Sequence, residues 1–190
     1  SAASDVYKRQ LVGLSSYLLI SFWSKKPSAA KAGNKAFILN RVGDFGFLVG
    51  LMVILNTFNT FDFYTVLKIA SDVPVNTVTI ISLFLLLGAF GKSAQFPLFS
   101  WLPDAMEGPT PASALIHAAT MVTAGVFMLV RISPILQYSK IAGMVIVLIG
   151  LLTALLAAFS AINQYDIKKV LAYSTTVSYT HLRAHETRSD

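Results

Sequence analysis

Long apolar stretches separated by short polar ones run through the chain, and their lengths set the predicted architecture. A hydrocarbon core about 30 Å thick needs about 20 mostly apolar helical residues to cross it. Laid along the sequence, that length marks four full spans and two partial ones. Leu11–Trp23 reads as the end of a helix, followed by the basic, small-residue loop SKKPSAAKAGNK from Ser24 to Lys35. Ala36–Leu55 is the first full span, and Asn56–Pro74 is mixed, with FDFYTVLKIA reading as a short amphipathic segment at the membrane interface. Asn76 to about Met106 exceeds one span and is interrupted near Lys92 and Pro97. Pro111–Ile132 follows an EGPTP turn, Ile141–Ile162 crosses without one charge, and Asp166–Thr175 begins a further helix. The pattern predicts an all-α fold, a polytopic transmembrane helix bundle with a broken helix.

Composition agrees with a membrane class. Of 190 residues, 55% are hydrophobic and only 13% charged, and the mean hydropathy is +0.65, beyond ordinary globular usage. The net charge of +6 does not point to nucleic acid, because the basic residues sit at the ends of apolar runs and never interleave with aromatics in a polar domain. It reads as topology: the loop carrying Lys25, Lys26, Lys31 and Lys35 should face the cytoplasm or matrix, with Lys168 and Lys169 on the same side. The absence of cysteine excludes disulfides and thiolate-held zinc or iron–sulfur centres within this segment. Residues 1–10 and 176–190 are polar, carry charges and lack apolar period. They resemble translated library-adapter sequence and are expected to be non-native, leaving 11–175 as the membrane segment.

The informative residues are ionisable groups inside spans, where each costs at least about 2.5–3.5 kcal/mol at a helix centre. Arg41 and Asp44, three residues apart in NRVGD, share a helix face and can neutralise each other. They read either as a structural ion pair or as part of a functional charge cluster. Lys92 falls at mid-span between Gly88, Gly91 and Pro97, which weaken continuous helical hydrogen bonding around it. A desolvated lysine can release and regain a proton near neutral pH unless an anion such as Asp44 holds the charge. That is proton-relay chemistry, and the bland alternative is a lysine snorkelling from a helix end. The Gly-Lys-Ser around Lys92 is no phosphate loop, since Leu86 stands where that motif needs glycine. His117, flanked by Ala114, Ala118, Thr120 and Thr123, suits a proton carrier beside such a lysine or a packed, hydrogen-bonded histidine; one histidine does not make a haem or metal site. Lys168, next to Asp166 and Lys169, reads as an interfacial anchor or as a relay element leading into the next helix.

The stretches LVGLSSYLLISFW, KAFILNRVGDFGFL, GKSAQFPLFSWLPDAMEGPTPASALIHAATMVTAGVFMLVR and DIKKVLAYST resemble a known family. It is that of the large antiporter-like membrane subunits of respiratory NADH:quinone oxidoreductase, complex I: chain 5 in mitochondria and chain L in bacteria. The resemblance runs from about Leu11 to Thr175 and implies a fragment of an antiporter-like fold, built on inverted repeats with broken helices at the ion path. It assigns Lys92 as the central lysine on a broken helix, His117 as the connecting group on the next, and Arg41 with Asp44 to the charged cluster that modulates the lysine. It implies a translocase subunit with no cofactor of its own, NADH, FMN, iron–sulfur clusters and quinone belonging to the parent complex. The implied partners are other membrane-arm subunits, the lipid bilayer and protons, in a bacterial plasma membrane or the mitochondrial inner membrane. One departure stands out. The family places a glutamate, partner of the central lysine, where this chain has Gln10. A neutral amide supplies no pairing charge, and Gln10 is read as the end of the adapter-like stretch. The alternatives are the large subunit of a multisubunit Na+/H+ antiporter, which shares the lysine and much of the GPTP...HAATMVTAG block, and a structural scaffold, which leaves the buried charges unexplained.

Overall fold

The computed structural model describes the backbone of residues 2–70, 72–116 and 121–186, and among these residues every regular element is helical. Helix α1 (Ala2–Ile20) turns into α2 (Pro27–Phe58), and the short α3 (Phe63–Ile69) precedes α4 (Val75–Lys92). An irregular stretch leads to α5 (Trp101–Asp104), a 3-10 turn at Ala105–Glu107 and α6 (Thr110–Ala114). Then come α7 (Met121–Gln137), α8 (Lys140–Ile162) and α9 (Ile167–Glu186). Helices α2, α4 and α8 are long and apolar enough to cross a membrane, whereas α7 and the apolar stretch Leu11–Ile20 are shorter. The bundle is the all-α arrangement that the periodicity predicts, and the described residues of the expected span Pro111–Ile132 include most of α6 and most of α7.

Two boundaries differ from expectation for physical reasons. The basic segment after Ser24 is mostly helix, because α2 begins at Pro27 and not at Ala36. Proline at the first helical position has a preset φ and needs no hydrogen-bond acceptor there. Ala29, Ala32, Gly33 and Ala36 then form a buried small-residue seam, while Lys31 and Lys35 stay exposed. At 32 residues, α2 is about 48 Å long, longer than a bilayer core. It ends where Asn59 takes the left-handed conformation, φ 51°, with its N–H bonded to the Leu55 carbonyl. Helix α9 continues past Thr175 to Glu186, through residues free of proline and glycine.

The expected amphipathic segment is α3. Val66 and Ala70 are buried while Tyr64 is exposed. Its N-cap is Asp62, whose carboxylate accepts from the Thr65 hydroxyl and N–H. These two bonds hold the Asp62 carboxyl below the usual carboxylate range. The charged cap is therefore kept above ordinary carboxylate titration and lost only as pH falls through that depressed value.

The most extensive helix pairing is α2 with α4, and glycine makes it close. A Cβ built on Gly43 would meet the Gly91 Cα at 2.9 Å, and one on Gly91 would meet the Gly43 Cα at 2.9 Å. Gly46 abuts the Leu87 side chain and Gly88 abuts Phe47 in the same way. Small residues at such crossings let backbones approach and gain dispersion contact, the main attraction available between helices in lipid. Gly88 and Gly91 thus do not break α4, which runs intact to Lys92. Two apolar clusters flank the crossing. One gathers α4 up to Phe90 with parts of α2, α3, α7 and α8; the other surrounds Ala94 and Trp101 with Ala36, Ile116 and Val122. Replacing Gly43 with alanine should force the helices apart and destabilise the detergent-solubilised protein by about 1–3 kcal/mol. Gly150→Ala, where an added methyl meets nothing within 4 Å, should leave the thermal midpoint unchanged or raised; equal losses in both would refute the close-contact role.

Candidate functional site

Between the two apolar clusters α4 stops. Ser93 caps it through N–H donation to Ala89 O at 2.9 Å. Ala94 then takes a left-handed φ of 50°, which is unfavourable for a residue with a Cβ. Gln95 N–H reaches back to Phe90 O at 3.0 Å. Irregular backbone at membrane depth survives only where protein satisfies its polar groups, and here three neighbouring elements do so. Trp101 on α5 donates its indole N–H to Gly91 O at 3.2 Å, the Ser93 hydroxyl donates to Val122 O on α7 at 3.1 Å, and Thr153 on α8 accepts from the Phe96 N–H at 3.0 Å. Gly125 on α7 makes room for Ser93, since any Cβ there would collide with the serine hydroxyl.

The break leaves Lys92 in the last turn of α4, where a cation is favoured by the helix dipole. Its ammonium lies 3.2 Å from Asp44 Oδ1 and 3.3 Å from Oδ2. The residues are only 2% and 8% exposed. Asp44 follows Gly43 and Lys92 follows Gly91, so the contact that brings the backbones together also sets the carboxylate against the ammonium. Above the pair lies α1: a Cβ added to Gly13 would stand 3.6 Å from Lys92 Nζ and 4.0 Å from Asp44 Oδ2. The missing side chain is what gives the charged groups their room. Chemically this is a desolvated acid–base pair between two helices, a place where one proton can be held or passed.

The other sequence candidates separate from the pair. Asp44 is bridged across helices to Lys92, not along α2 to Arg41, which corrects the pairing suggested by their spacing. The Arg41 guanidinium instead lies 4.8 Å from the Phe37 ring centroid, one turn back, and Phe37 in turn packs edge-on against Tyr17 of α1 at 5.7 Å. Arginine is weakly hydrated and planar, so an aromatic face competes well for it. Lys168 is exposed at the start of α9. It lines a cavity of about 840 Å³ together with Trp23, Lys26, Glu107, Asp166 and Lys169, so the two basic segments do share one end of the bundle. Lys169, not Lys168, approaches Asp166, at 3.8 Å. His117 lies outside the described residues. Reading by charge alone overlooked Gly13, Asn40, Ser93 and Thr153; a glycine or small polar residue inside an apolar run was their only signal.

Residues 9–180 match the family described as NADH:quinone oxidoreductase/Mrp antiporter, TM. The chain belongs to this transmembrane family. Among curated relatives it is 56% identical over 164 residues to NADH-ubiquinone oxidoreductase chain 5 of Metridium senile, covering 86% of this chain and 27% of that protein. It is 53% identical over 173 residues to the Triticum aestivum chain 5, covering 86% and 26%. The chain therefore spans about a quarter of the length of these relatives. Among solved structures, the Mrp complex from Dietzia sp. DQ12-45-1b superposes with a TM-score of 0.86 at 30% identity, over 92% of this chain and 19% of that one. The membrane-bound sulfane sulfur reductase, an archaeal respiratory membrane complex, gives 0.83 at 25% identity over 96% and 38%. As in other members of a transmembrane family, this is a multi-pass membrane chain with an antiporter-like helix arrangement.

The space above the pair is testable in the complete subunit. Gly13→Ala places its methyl at ordinary contact distance and should be tolerated, whereas Gly13→Val, with two further methyls beside Lys92 Nζ, should part the ions and destabilise the detergent-solubilised protein by about 1–3 kcal/mol. Equal thermal midpoints in both variants would show that the α1 contact does not constrain the site.

Proposed function

We propose that this chain is the proton-translocating core of an antiporter-like membrane subunit of complex I, of the chain 5 kind. The observation that carries the reading is the Lys92–Asp44 pair, 3.2 Å apart and buried, at the end of an interrupted helix. A charge pair of that kind adds little stability over apolar packing, because desolvation offsets its attraction, so its presence at a helix break is better accounted for by work than by structure. Two protonation and pairing states suffice for transport. With the pair closed, Asp44 holds Lys92 as a cation. When the elements part, the counter-charge is withdrawn and Lys92 gives up its proton to the next carrier; re-closure accompanies proton uptake from the other side. His117 is the proposed next carrier, Arg41 a modulator of the local field from its seat on Phe37, and Lys168 a relay element toward the next helix at the basic end.

In this role the chain binds no cofactor. NADH, FMN, iron–sulfur clusters and quinone belong to the parent complex, and the other membrane-arm subunits and the lipid are its partners. The higher identity to chain 5 relatives than to the Mrp structure, 56% against 30%, favours redox-driven transport over an independent Na+/H+ antiporter.

Proton pumping driven by NADH oxidation should be measured in membrane vesicles carrying the full subunit with Lys92→Ala or Asp44→Asn. Both variants should assemble and lose pumping by about 10²-fold or more, the usual scale for removing an acid–base group. Unchanged NADH-driven pumping with loss of sodium/proton exchange would replace this reading by the antiporter one, and no effect on either would make the pair structural.

A further inference from the structure

The Lys92–Asp44 pair accounts for the charged groups of the break but not for its neutral ones. Among the described residues, three buried side-chain atoms have no hydrogen-bond partner: Asn40 Oδ1, Ser82 Oγ and Gln95 Oε1. Two of them flank the pair in sequence. Asn40 stands four residues before Asp44 on α2, and Gln95 three after Lys92 in the irregular stretch. Both are almost fully buried, Asn40 at 2% and Gln95 at 1% exposed. The orientation of Asn40 is decided by its other end, since its Nδ2 donates to Ala36 O at 2.8 Å. Turning the amide over would set oxygen against oxygen, so the orphaned atom is an acceptor.

A buried carbonyl oxygen is rarely left without a donor, because nothing then repays the water it lost. Water is a donor that leaves no trace in the chain's own contacts. Buried waters make about three hydrogen bonds, and a stable site needs several polar groups converging on it. On a helix, residues four apart lie about 5–6 Å from each other at Cβ. A water donating to Asn40 Oδ1 therefore lies within reach of the Asp44 carboxylate and, through it, of the Lys92 ammonium. Leu39, the residue before Asn40, has its carbonyl 3.8 Å from a Cβ built on Gly91, so this turn of α2 faces the last turn of α4. Ala36, Leu39, Ala94 and Trp101 belong to one apolar cluster, and the Asn40 amide, bonded to Ala36 O, adjoins it.

We propose that Asn40 holds a water beside Asp44 and that this water is the station through which a proton enters or leaves the Lys92–Asp44 pair. Asn40 is a positioning residue. It keeps its own chemistry unchanged while its carbonyl fixes the orientation of the water, so that the second O–H points along the path toward the carboxylate. The inference rests on the proposed transport role of Lys92, and its test separates the two.

The measurement is the infrared difference spectrum of the assembled complex, recorded in ordinary and 18O water, together with NADH-driven pumping in vesicles. Wild type should show an isotope-sensitive water O–H band that Asn40→Leu, which removes the acceptor at similar volume, abolishes, with pumping down by about tenfold. Asn40→Ser should keep the band and pump within about twofold, because a serine there can donate to Ala36 O and still accept from water. If Asn40→Leu fails to assemble, the same band in Asn40→Ser and its absence in Asn40→Ala decide the matter. Retained pumping or an unchanged band in the leucine or alanine variant overturns the proposal while Lys92→Ala still abolishes transport; if Lys92→Ala is also silent, the underlying transport reading has failed instead.

Discussion

The contact of α2 with α4 at Gly43 and Gly91 is the constraint on which the rest of the site depends. Each glycine lies directly before one member of the ion pair, and each would drive a methyl into the other's backbone if it carried one. Close approach and charge pairing support each other. Without the glycines the ammonium and carboxylate stand apart in an apolar medium, where an unpaired buried charge costs on the order of 3–5 kcal/mol. Without the ions, nothing explains why a crossing so tight should place two polar side chains at its edge. Gly13 adds the third side, since a side chain at that point of α1 would crowd the charged groups.

The break in α4 is the second element, and it is held by side chains from distant parts of the chain. The indole of Trp101, the hydroxyl of Thr153 and the carbonyl of Val122 each take or give one bond to the segment between Gly91 and Phe96. An interruption that is satisfied from α5, α7 and α8 at once can shift only as those helices shift. The segment that follows Lys92 is thereby tied to three other helices. At the basic end, Lys26, Lys168 and Lys169 line one cavity with Glu107.

Much of this was legible beforehand, for reasons that can be given residue by residue. Apolar length alone located α8 to within a residue at its N-terminus and at its last residue, Ile162, because hydrocarbon thickness is a ruler and this segment carries no charge to confuse it. Lys92 and Asp44 announced themselves by energetic cost, and the irregular stretch after Lys92 by Pro97, whereas Gly88 and Gly91 serve the helix contact. The helical extension of α2 back to Pro27 was not legible, since small residues and lysines read as a loop until Ala29, Ala32, Gly33 and Ala36 are seen to share a buried seam.

By itself, then, the sequence determined the membrane class, the all-α fold and the identity of the costly charges, because each follows from local composition measured against the thickness and dielectric of a bilayer. The tertiary structure alone decided who pairs with whom. Asp44 takes Lys92, 48 residues away, while Arg41 at close helical spacing turns to Phe37. Gly88 and Gly91 serve contact and not breakage, and Asn40 keeps a buried oxygen without a partner from the described residues. These outcomes depend on which helix faces meet and how closely, and that distance is a property of two segments together, which neither segment carries alone.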